Sequence, residues 1–597
     1  MPTIKVKQMT YVEKLAAIRS LMKRQQIDAY LIPSSDPHIS EYLPDRYKCI
    51  AWASGFTGSA GTLVITQSFA GLWTDSRYFV QAREQLADSG YQLVKLNVQH
   101  AAEYADWLVG NLPTGATVAF DGWLLAASLA AAVRKPLLAA GIVVEENVDL
   151  LTPLWLDRPA LPRNPAYLLG EHIAGESTAA KLARLRADME RHHADAHLIS
   201  SLDDIAWLLN MRGSDVVCNP VVLAFALVTS DTATLFIDQT KLSQQDRETL
   251  YAAGIGTADY AQVGRYLGNL SGRVLLLDPR RTCSHLYNAL LPDIRDEINP
   301  TTRFKAVKNN VEIAHIRETM VKDGVALTRF FKWLEEAIGK EAITELSLAE
   351  RLRHLRAEQE GFVGESFDTI AGYRAHGALP HYKATPASSS ELRPEGLLLV
   401  DSGGQYRTGT TDITRVVSLG NVTATERADY TLVLKGMIEG STAVFPSGTR
   451  GYQIDAITRK PLWDELRNYG HGTGHGVGFF LNVHEGPHTF NGAAVDVPVE
   501  PGMVTSIEPG LYREGDYGIR IENLVLSTYH ADTLFGPFLA FETLTVCYID
   551  TQLVDTSLLE TKHTAWLNGY HAAVYERLAP HLDEQEQQWL AKKTAAI

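Results

Sequence analysis

Two aspartates flank a glycine-rich stretch in the C-terminal half of the chain, and their spacing constrains the fold more than any other feature. Asp401 ends the apolar run 397–400, and Asp412 opens the apolar run 413–417. Turn-forming glycines lie between them, so the pattern predicts a β-hairpin that folds near residues 406–407. In that register the aspartates face each other, with Cβ atoms roughly 5 Å apart. Two buried like charges repel without a cation, and the hairpin therefore predicts a metal site.

A histidine and a glutamate follow in contexts that favour the same site. His475 lies in the stretch 469–478, where recurring glycines let the backbone approach a site closely or turn sharply beneath it. Glu508 ends the run 504–507 and precedes a Pro-Gly pair. The glycine stretch could instead be compared with a phosphate-binding loop, but such loops need a strand before, a helix after and usually no interleaved histidines. The metal-site interpretation is therefore favoured.

Glu522 completes a set of five candidate ligands. It lies in the alternating stretch 519–525, which predicts a strand with Arg520 and Glu522 on one face. Zinc usually takes four ligands, often Cys or His, whereas four carboxylates and one imidazole suit manganese or a comparable divalent ion. They also offer enough oxygens to bridge two ions, so the set predicts a dinuclear hydrolytic centre. Any one of these residues alone would be interpreted as a capping or structural group, and only their joint occurrence favours the metal site.

The five residues, taken with their neighbours, resemble a known enzyme family. The contexts are Asp-Ser-Gly-Gly, Thr-Asp-Ile-Thr-Arg, His-Gly-Thr-Gly-His-Gly-Val-Gly, Glu-Pro-Gly and Arg-Ile-Glu-Asn, in that order. Together they resemble the pita-bread metallopeptidases, and segments 379–382 and 482–487 narrow the resemblance to aminopeptidase P. The likeness extends over essentially the whole chain and is strongest with the long, three-domain cytosolic Xaa-Pro aminopeptidases.

The resemblance implies a reaction and a role for each of the five residues. Two divalent ions, expected to be manganese, would be held by Asp401, Asp412, His475, Glu508 and Glu522, with a bridging water as the nucleophile. Glu508 would also take a proton from this water and pass it towards the leaving nitrogen. The substrate would be a peptide with proline in second position, cleaved between its N-terminal residue and that proline.

Other residues are expected to act on the substrate or on the ligands. In the family pattern His381, His471 and His484 are not needed as ligands, so the resemblance implies that they hydrogen-bond the scissile carbonyl and the tetrahedral intermediate. His381 and His484 are thereby substrate-binding as well as catalytic. Arg520 is expected to orient the ligand acids, and Tyr512 is a further substrate-binding candidate beside them.

Two alternatives belong to other functional classes. A prolidase would share the five ligands and cleave only dipeptides, but its chain is usually shorter and has no duplicated N-terminal half. A binding module of the pita-bread fold that has lost its metal normally lacks some of the ligands. All five ligands and the three histidines are present here, which favours the aminopeptidase.

The N-terminal half contains an internal repeat. Residues 22–43 align with residues 189–210 at an offset of 167, and matching strand-like runs follow in both copies. Two copies are too few for a solenoid, so the repeat predicts two duplicated α/β domains. The segment 153–165 contains four prolines and is interpreted as a linker.

The predicted fold class is α/β (α+β), with two duplicated creatinase-like domains before a pita-bread catalytic domain with a C-terminal extension. The expected boundaries are 1–155, 156–303, 304–530 and 531–597. Apolar residues at helical spacing predict helices at 311–338, 425–444 and 562–593, and strands are expected at 524–526 and 539–548. By resemblance the protein is expected to be a homodimer in which Arg77 holds peptide at the subunit interface.

Composition excludes several classes of partner. The 597 residues have a net charge of −15 and no basic run, so neither nucleic acid nor an anionic membrane is an expected partner. The four cysteines are scattered, which suits buried thiols in a reducing compartment. Residues 1–13 have no export signal, and the apolar stretch 123–133 is far shorter than a membrane span. A cytoplasmic protein is predicted.

Overall fold

The computed structural model describes residues 9–98, 101–290 and 293–597. It divides into two compact units. The N-terminal unit takes in the described residues of Met1–Leu168, Thr178–Val217 and Val221–Thr301, and the C-terminal unit comprises Leu169–Ser177, Cys218–Pro220 and Thr302–Ile597. The prediction that the first 13 residues contain no export signal falls largely on residues 1–8, which lie outside the described residues.

The N-terminal unit contains two six-stranded sheets with the same strand order. The first sheet runs Gln92–Lys95, Ala70–Thr74, Thr62–Thr66, Ala29–Pro33, Thr117–Phe120, Val143–Glu146. The second sheet runs Ile255–Ala258, Ala233–Ile237, Ala224–Thr229, Ala196–Ile199, Val274–Leu277, Asp293–Asp296. In both sheets the third strand of the order pairs antiparallel with the second and with the fourth, and the other three pairs are parallel. The shared topology confirms the predicted duplication.

Helices cover both sheets because the central strands are buried along their whole length and need apolar cover on each face. The helices of the first copy are Tyr11–Arg24, Cys49–Ser54, Phe79–Gln85, Glu103–Asn111 and Ala127–Ala139. Those of the second copy are Thr178–Arg191, Leu202–Leu208, Gln244–Ala252, Val263–Leu267 and Ser284–Asn288. A two-stranded ribbon pairs Tyr167–Leu168 with Met211–Arg212. The predicted linker 153–165 is irregular.

Helices of the C-terminal unit agree closely with the sequence predictions. The helix expected at 311–338 is Asn310–Ala337, begun by an Asn309 capping box, and that expected at 425–444 is Ala424–Ser441. The helix expected at 562–593 is two helices, Thr561–Leu578 and Glu584–Lys593, separated by a 3₁₀ turn that contains a proline. The other helices are Glu171–Ala174, Pro300–Ala306, Glu345–Ala357 and Gly451–Trp463.

The strands of the C-terminal unit form one large sheet and three small ones. The large sheet runs Phe445–Pro446, Gly536–Thr543, Asn523–Thr533, Val504–Ile507, Gly474–Gly476, Glu485–Phe490. Two three-stranded sheets contain Phe362–Glu365, Gly404–Tyr406, Gly409–Thr410 and Ile370–Tyr373, Leu397–Ser402, Ile413–Ser418. A two-stranded ribbon pairs Gly510–Arg513 with Tyr517–Arg520. Apolar side chains from these strands and from the long helices form one continuous core.

Two strand predictions were wrong at their ends. The strand expected at 539–548 ends at Thr543. Beyond it, backbone carbonyls accept hydrogen bonds from a side chain: the guanidinium of Arg415 donates to the carbonyls of Cys547 and Tyr548. The strand expected at 519–525 is interrupted at residues 521–522, between the ribbon strand and the next strand of the large sheet. Glu522 therefore lies at a break between strands.

The predicted hairpin forms, but its register was wrong by two residues. Asp401 pairs with Thr414, and the turn lies between Tyr406 and Gly409. Tyr406 is fully buried and donates to Asp323 of the long helix at 2.9 Å, which keeps it in the strand. A shift of two residues preserves the face of each side chain, so both aspartates still point to the same side.

The remaining predictions concern cysteines and membrane spans. All four cysteines are free thiols. Cys49, Cys283 and Cys547 are buried, as expected, and Cys218 is half-buried. No helix within residues 9–98, 101–290 or 293–597 combines the length and the apolar character needed to cross a membrane.

Candidate metal centre

Five side chains converge inside the C-terminal unit, four of them at or beside the ends of strands and one within a three-residue strand. We call them the donor set: Asp401, Asp412, His475, Glu508 and Glu522. Ligand atoms of Asp412, His475 and Glu522 lie within 4.8 Å of one another. His475 Nε2 lies 3.6 Å from Asp412 Oδ2 and 3.3 Å from Glu508 Oε1. The structure thus brings the predicted ligands together from segments more than 100 residues apart.

The strand Gly474–Gly476 presents His475 to the carboxylates. A Cβ atom on Gly474 would lie 1.8 Å from the carbonyl oxygen of Ser506, so only glycine permits this approach of the two strands. The Nδ1 atom of His475 lies 3.0 Å from the Gly476 carbonyl and donates to it, which leaves Nε2 to face the acids. Ser506 accepts from the His475 amide and donates to Glu508 at 3.2 Å. The glycines and Ser506 therefore fix the orientation of the imidazole.

Arg520 links Asp401 to the other side of the site. Its Nη2 donates to Asp401 Oδ2 at 2.6 Å, and its Nη1 donates to the Tyr512 hydroxyl at 2.7 Å. That hydroxyl also lies 2.7 Å from His471 Nε2. Thr414 accepts from Arg520 Nε at 3.1 Å and donates to Glu522 at 2.8 Å. The predicted position of Arg520 beside two ligand acids agrees with this geometry.

The carboxylates of the donor set are buried and close together, and both features shift their pKa values. Burial and the charge of Glu522 raise the pKa of Asp412 well above its usual range, and burial and Glu508 do the same for Glu522. Burial opposes ionisation of His475 too, but its hydrogen bond to Glu508, the charges of Glu508 and Glu522 and its hydrogen bond to Gly476 together outweigh burial and raise the pKa of the imidazole to about 9. Such a cluster is costly to bury unless a cation offsets its charge.

Two ligand oxygens support the assignment of this site to a metal. Asp401 Oδ1 and Glu522 Oε1 are buried and accept no hydrogen bond from any residue that the structure describes. Buried carboxylate oxygens are normally satisfied, so their lack of partners needs an explanation. An oxygen-rich donor set with one imidazole suits hard or borderline divalent cations. The residues therefore fit divalent metal.

The other predicted residues differ in how closely they approach the donor set. The ring of His484 packs edge-on against His475, with centroids 4.3 Å apart. The residue before His381, Pro380, accepts from Arg520 Nη2 at 3.4 Å. Arg77 belongs to the N-terminal unit and is not part of this cluster. It forms a two-point ion pair with Asp75, with both distances 2.8 Å.

Several supporting residues were missed from the sequence. Arg459, on the helix Gly451–Trp463, pairs with Asp455 at 2.8 Å and donates to the His471 carbonyl at 2.6 Å. Asp455 accepts from Thr473 at 2.6 Å, and the Thr473 carbonyl accepts from the Glu508 amide. This buried network supports the glycine stretch from beneath. Thr414 and Ser506 were missed too, although each lies two residues from a ligand and thus on its face of a strand.

Comparison with protein families divides the chain into four segments. Residues 14–149 and 157–312 each match the Creatinase/Prolidase N-terminal domain. Residues 314–529 match Metallopeptidase family M24, and residues 537–597 match the C-terminal region of that family. The two creatinase matches correspond to the two copies of the six-stranded sheet, and the M24 match includes the whole donor set.

Full-length relatives narrow this assignment. A Neurospora crassa protein named "Probable Xaa-Pro aminopeptidase P" is 40% identical, over 98% of this chain and 89% of its own length. The chain belongs to the Xaa-Pro aminopeptidase P family. A second member, "Aminopeptidase P2" of Arabidopsis thaliana, is 39% identical over 98% of this chain and 88% of its own length.

The aminopeptidase P fold extends over the whole chain. The crystal structure of X-prolyl aminopeptidase from Caenorhabditis elegans, described as a cytosolic enzyme with a di-nuclear active site, superposes with a TM-score of 0.94. It is 35% identical and matches 99% of this chain and 100% of its own. The predicted architecture is confirmed: two creatinase-like domains precede a pita-bread domain of the M24 type and its C-terminal region.

Proposed function

We propose that this chain is an aminopeptidase that removes the N-terminal residue from peptides with proline in second position. The donor set would hold two divalent ions, for which we propose manganese because four of the five side chains supply oxygen. The observation that carries the proposal is the match along the full chain to aminopeptidases P. The convergence of four carboxylates and one imidazole in the donor set supports it. A prolidase is disfavoured by the same full-length match.

Bound divalent ions supply a nucleophilic water of lowered pKa and polarise the scissile carbonyl. Glu508 is the acid that we assign to proton transfer, since its side chain is 17% exposed against 5% for Asp412. Of these two acids, Glu508 is therefore the more accessible to solvent. The leaving group makes this transfer necessary: the nitrogen of an Xaa-Pro bond carries no hydrogen and must gain one as it departs.

We assign His381 and His484 to hydrogen bonds with the scissile carbonyl and the tetrahedral intermediate, and we assign His471, whose two ring nitrogens already have partners, to orienting the Tyr512 hydroxyl. Burial lowers the pKa of His471 to about 4, so this imidazole is neutral at physiological pH. Its Nδ1 lies 2.7 Å from the Gly472 carbonyl, which orients Nε2 towards Tyr512. Arg520 holds Asp401, and Tyr512 connects Arg520 with His471.

Three further expectations complete the proposal. The C. elegans relative is described as cytosolic, and we propose the cytoplasm for this chain. A homodimer remains a prediction from the family resemblance, as does the role of Arg77 in holding peptide. The ion pair of Arg77 with Asp75 supports a fixed orientation of its guanidinium.

The direct test of function is product analysis on paired substrates. With manganese the enzyme should release the first residue from an Xaa-Pro-Xaa tripeptide, and an Xaa-Pro dipeptide should be the poorer substrate. Prior treatment with a chelator should stop the release, and manganese should restore it better than zinc because the donors are mainly oxygen. Preferential cleavage of the dipeptide would favour a prolidase, and no cleavage with manganese bound would favour a binding module.

Thermal stability tests the metal site without an activity assay. In EDTA, Glu522→Gln should melt above the unmodified protein, because it relieves repulsion among buried acids. In manganese the order should reverse, because a ligand present at 1,000 times its Kd stabilises by about 4 kcal/mol, and the variant binds more weakly. Melting temperatures of both proteins under both conditions check this. An unmodified protein that gains no stability from manganese would contradict the site.

A further inference from the structure

A single buried carboxylate, Glu345, holds the loop that carries His381. Glu345 is fully buried and is the first residue of the helix Glu345–Ala357. Its Oε1 accepts from the Tyr373 amide at 2.9 Å, and its Oε2 accepts from the Ser390 amide at 2.8 Å. Tyr373 and Ser390 lie at the two ends of the loop. Both ends are therefore fixed to the same side chain.

The interior of the loop reaches the same carboxylate. The Tyr382 hydroxyl donates to Glu345 Oε2 at 2.9 Å, and His376 Nδ1 lies 2.8 Å from Oε1. The rings of His376 and Tyr382 stack, with centroids 4.3 Å apart. Tyr382 directly follows His381 in the chain, so a hydrogen bond to Glu345 fixes the backbone on one side of that imidazole.

The other side of the loop packs against the strand that carries Arg520. A Cβ atom on Gly518 would lie 1.7 Å from the Gly377 carbonyl oxygen, so the two backbones are in direct contact. Arg520, two residues after Gly518, donates to the carbonyl of Pro380, the residue before His381. His381 is thus bracketed by a neighbour that contacts the metal-centre arginine and a neighbour that contacts Glu345.

A simpler role for Glu345 would be to stabilise the start of its own helix, as acids in a first turn do. The structure assigns that role to other residues. The Thr344 hydroxyl accepts a hydrogen bond from the Ser347 amide, and the Ser347 hydroxyl accepts one from the Thr344 amide. These two bonds form a capping box. Both oxygens of Glu345 are instead occupied by donors from the loop.

We infer that Glu345 is a positioning residue for His381, acting through Tyr382 and the two ends of the loop. The inference rests on the proposed role of His381 in hydrogen-bonding the substrate. Each oxygen of the Glu345 carboxylate accepts from a backbone amide, that of Tyr373 or that of Ser390, so a glutamine side chain would turn its NH2 group towards one of these two donors. Glutamine at 345 should loosen the loop while keeping its volume.

A double-mutant cycle separates positioning from stability. Glu345→Gln alone should lower kcat/KM by about 10- to 100-fold, the scale on which misplacement by 1 Å acts. In a His381→Ala background the same change should have less than about a threefold effect, because the group that Glu345 positions is gone. Tyr382→Phe removes one contact and should give a smaller loss that likewise vanishes in that background. Glu395→Gln, whose partner Arg374 is in the same loop but largely exposed, is the matched control and should leave the rate unchanged.

The outcomes distinguish the inference from the function on which it rests. If His381→Ala has no effect on kcat/KM, the proposed role of His381 fails. If His381→Ala is impaired but Glu345→Gln lowers the rate equally in both backgrounds, Glu345 serves stability alone and the inference is overturned. Tyr382→Phe provides the same comparison if Glu345→Gln does not fold, as judged by its melting temperature.

Discussion

Replacing Glu508 with glutamine should lower kcat for an Xaa-Pro-Xaa tripeptide by at least about 10²- to 10⁴-fold, the contribution of one positioned acid–base group. Glutamine keeps the volume of the side chain and its hydrogen bond from Ser506 but cannot accept a proton from the attacking water. It is also a weaker ligand than a carboxylate. Loss of the charge removes the ion pair with His475, whose Nε2 lies 3.3 Å from Glu508 Oε1. The loss of the proton acceptor and the weaker metal ligation both lower kcat.

Metal content and rate should be measured on the same folded preparation. Asp401→Asn and His475→Ala should lose turnover in the same way, with melting temperatures that still indicate a folded chain. Glu500→Gln is the matched control, because Glu500 is an exposed glutamate near the site in sequence and should behave as the unmodified protein. A Glu508→Gln enzyme with native metal content and a near-normal rate would contradict the assignment of Glu508 as ligand and proton acceptor.

The candidate ligands could be picked out of the sequence because their local contexts determine where their side chains lie. Asp401, His475 and Glu508 each lie in or beside a short strand bounded by glycine or proline, and such contexts predict where a side chain leaves the sheet. Convergence of the segments was inferred from their joint occurrence. The structure brings them together through pairing of strands that are separated along the chain, Gly476 with Thr505 and Ile507 with Asn523, which no local pattern specifies.

The register of the Asp401 hairpin shows where local reasoning fails. Symmetry between the two aspartates places the turn at residues 406–407. In the structure Tyr406 is buried against Asp323, and a Cβ atom on Gly409 would lie only 3.2 Å from the side-chain oxygen of Thr319, which is closer than ordinary van der Waals contact. Contacts with the long helix Asn310–Ala337 therefore set the register, and these depend on tertiary packing.

The roles of two charged helix residues, Glu345 and Arg459, could not be predicted from the sequence for a related reason. Glu345 has the appearance of an ordinary first-turn acid, and Arg459 that of an exposed helical arginine paired four residues away. Helical periodicity shows which face is apolar but not which buried polar group that face will meet. Both residues are buried and bond to loops that carry predicted active-site histidines. The hydrogen-bond partners of such buried polar groups depend on tertiary packing and not on the local sequence.

Removing the imidazole of His484 should lower turnover by about 10²- to 10³-fold, the cost of losing one hydrogen-bond donor to a developing oxyanion. The donor set already provides four carboxylates and an imidazole, so His484 is not required as a further ligand. It lies nine residues after His475, immediately before the strand Glu485–Phe490, and is half-buried. We therefore expect His484→Ala to keep its metal and lose rate.

The contact between the two rings makes a purely structural role for His484 a distinct alternative. With centroids 4.3 Å apart and planes at 71°, the ring of His484 packs against His475, and its removal would take away that packing. That alternative predicts a lower melting temperature with turnover per folded molecule unchanged, whereas a donor to substrate predicts an unchanged melting temperature with a lower kcat. His530→Ala, at an exposed histidine, controls for loss of an imidazole as such. Bound manganese, melting temperature and kcat, measured on one preparation, decide between the two roles. Loss of one equivalent of manganese would instead identify His484 as a metal ligand and refute its role as a donor to substrate.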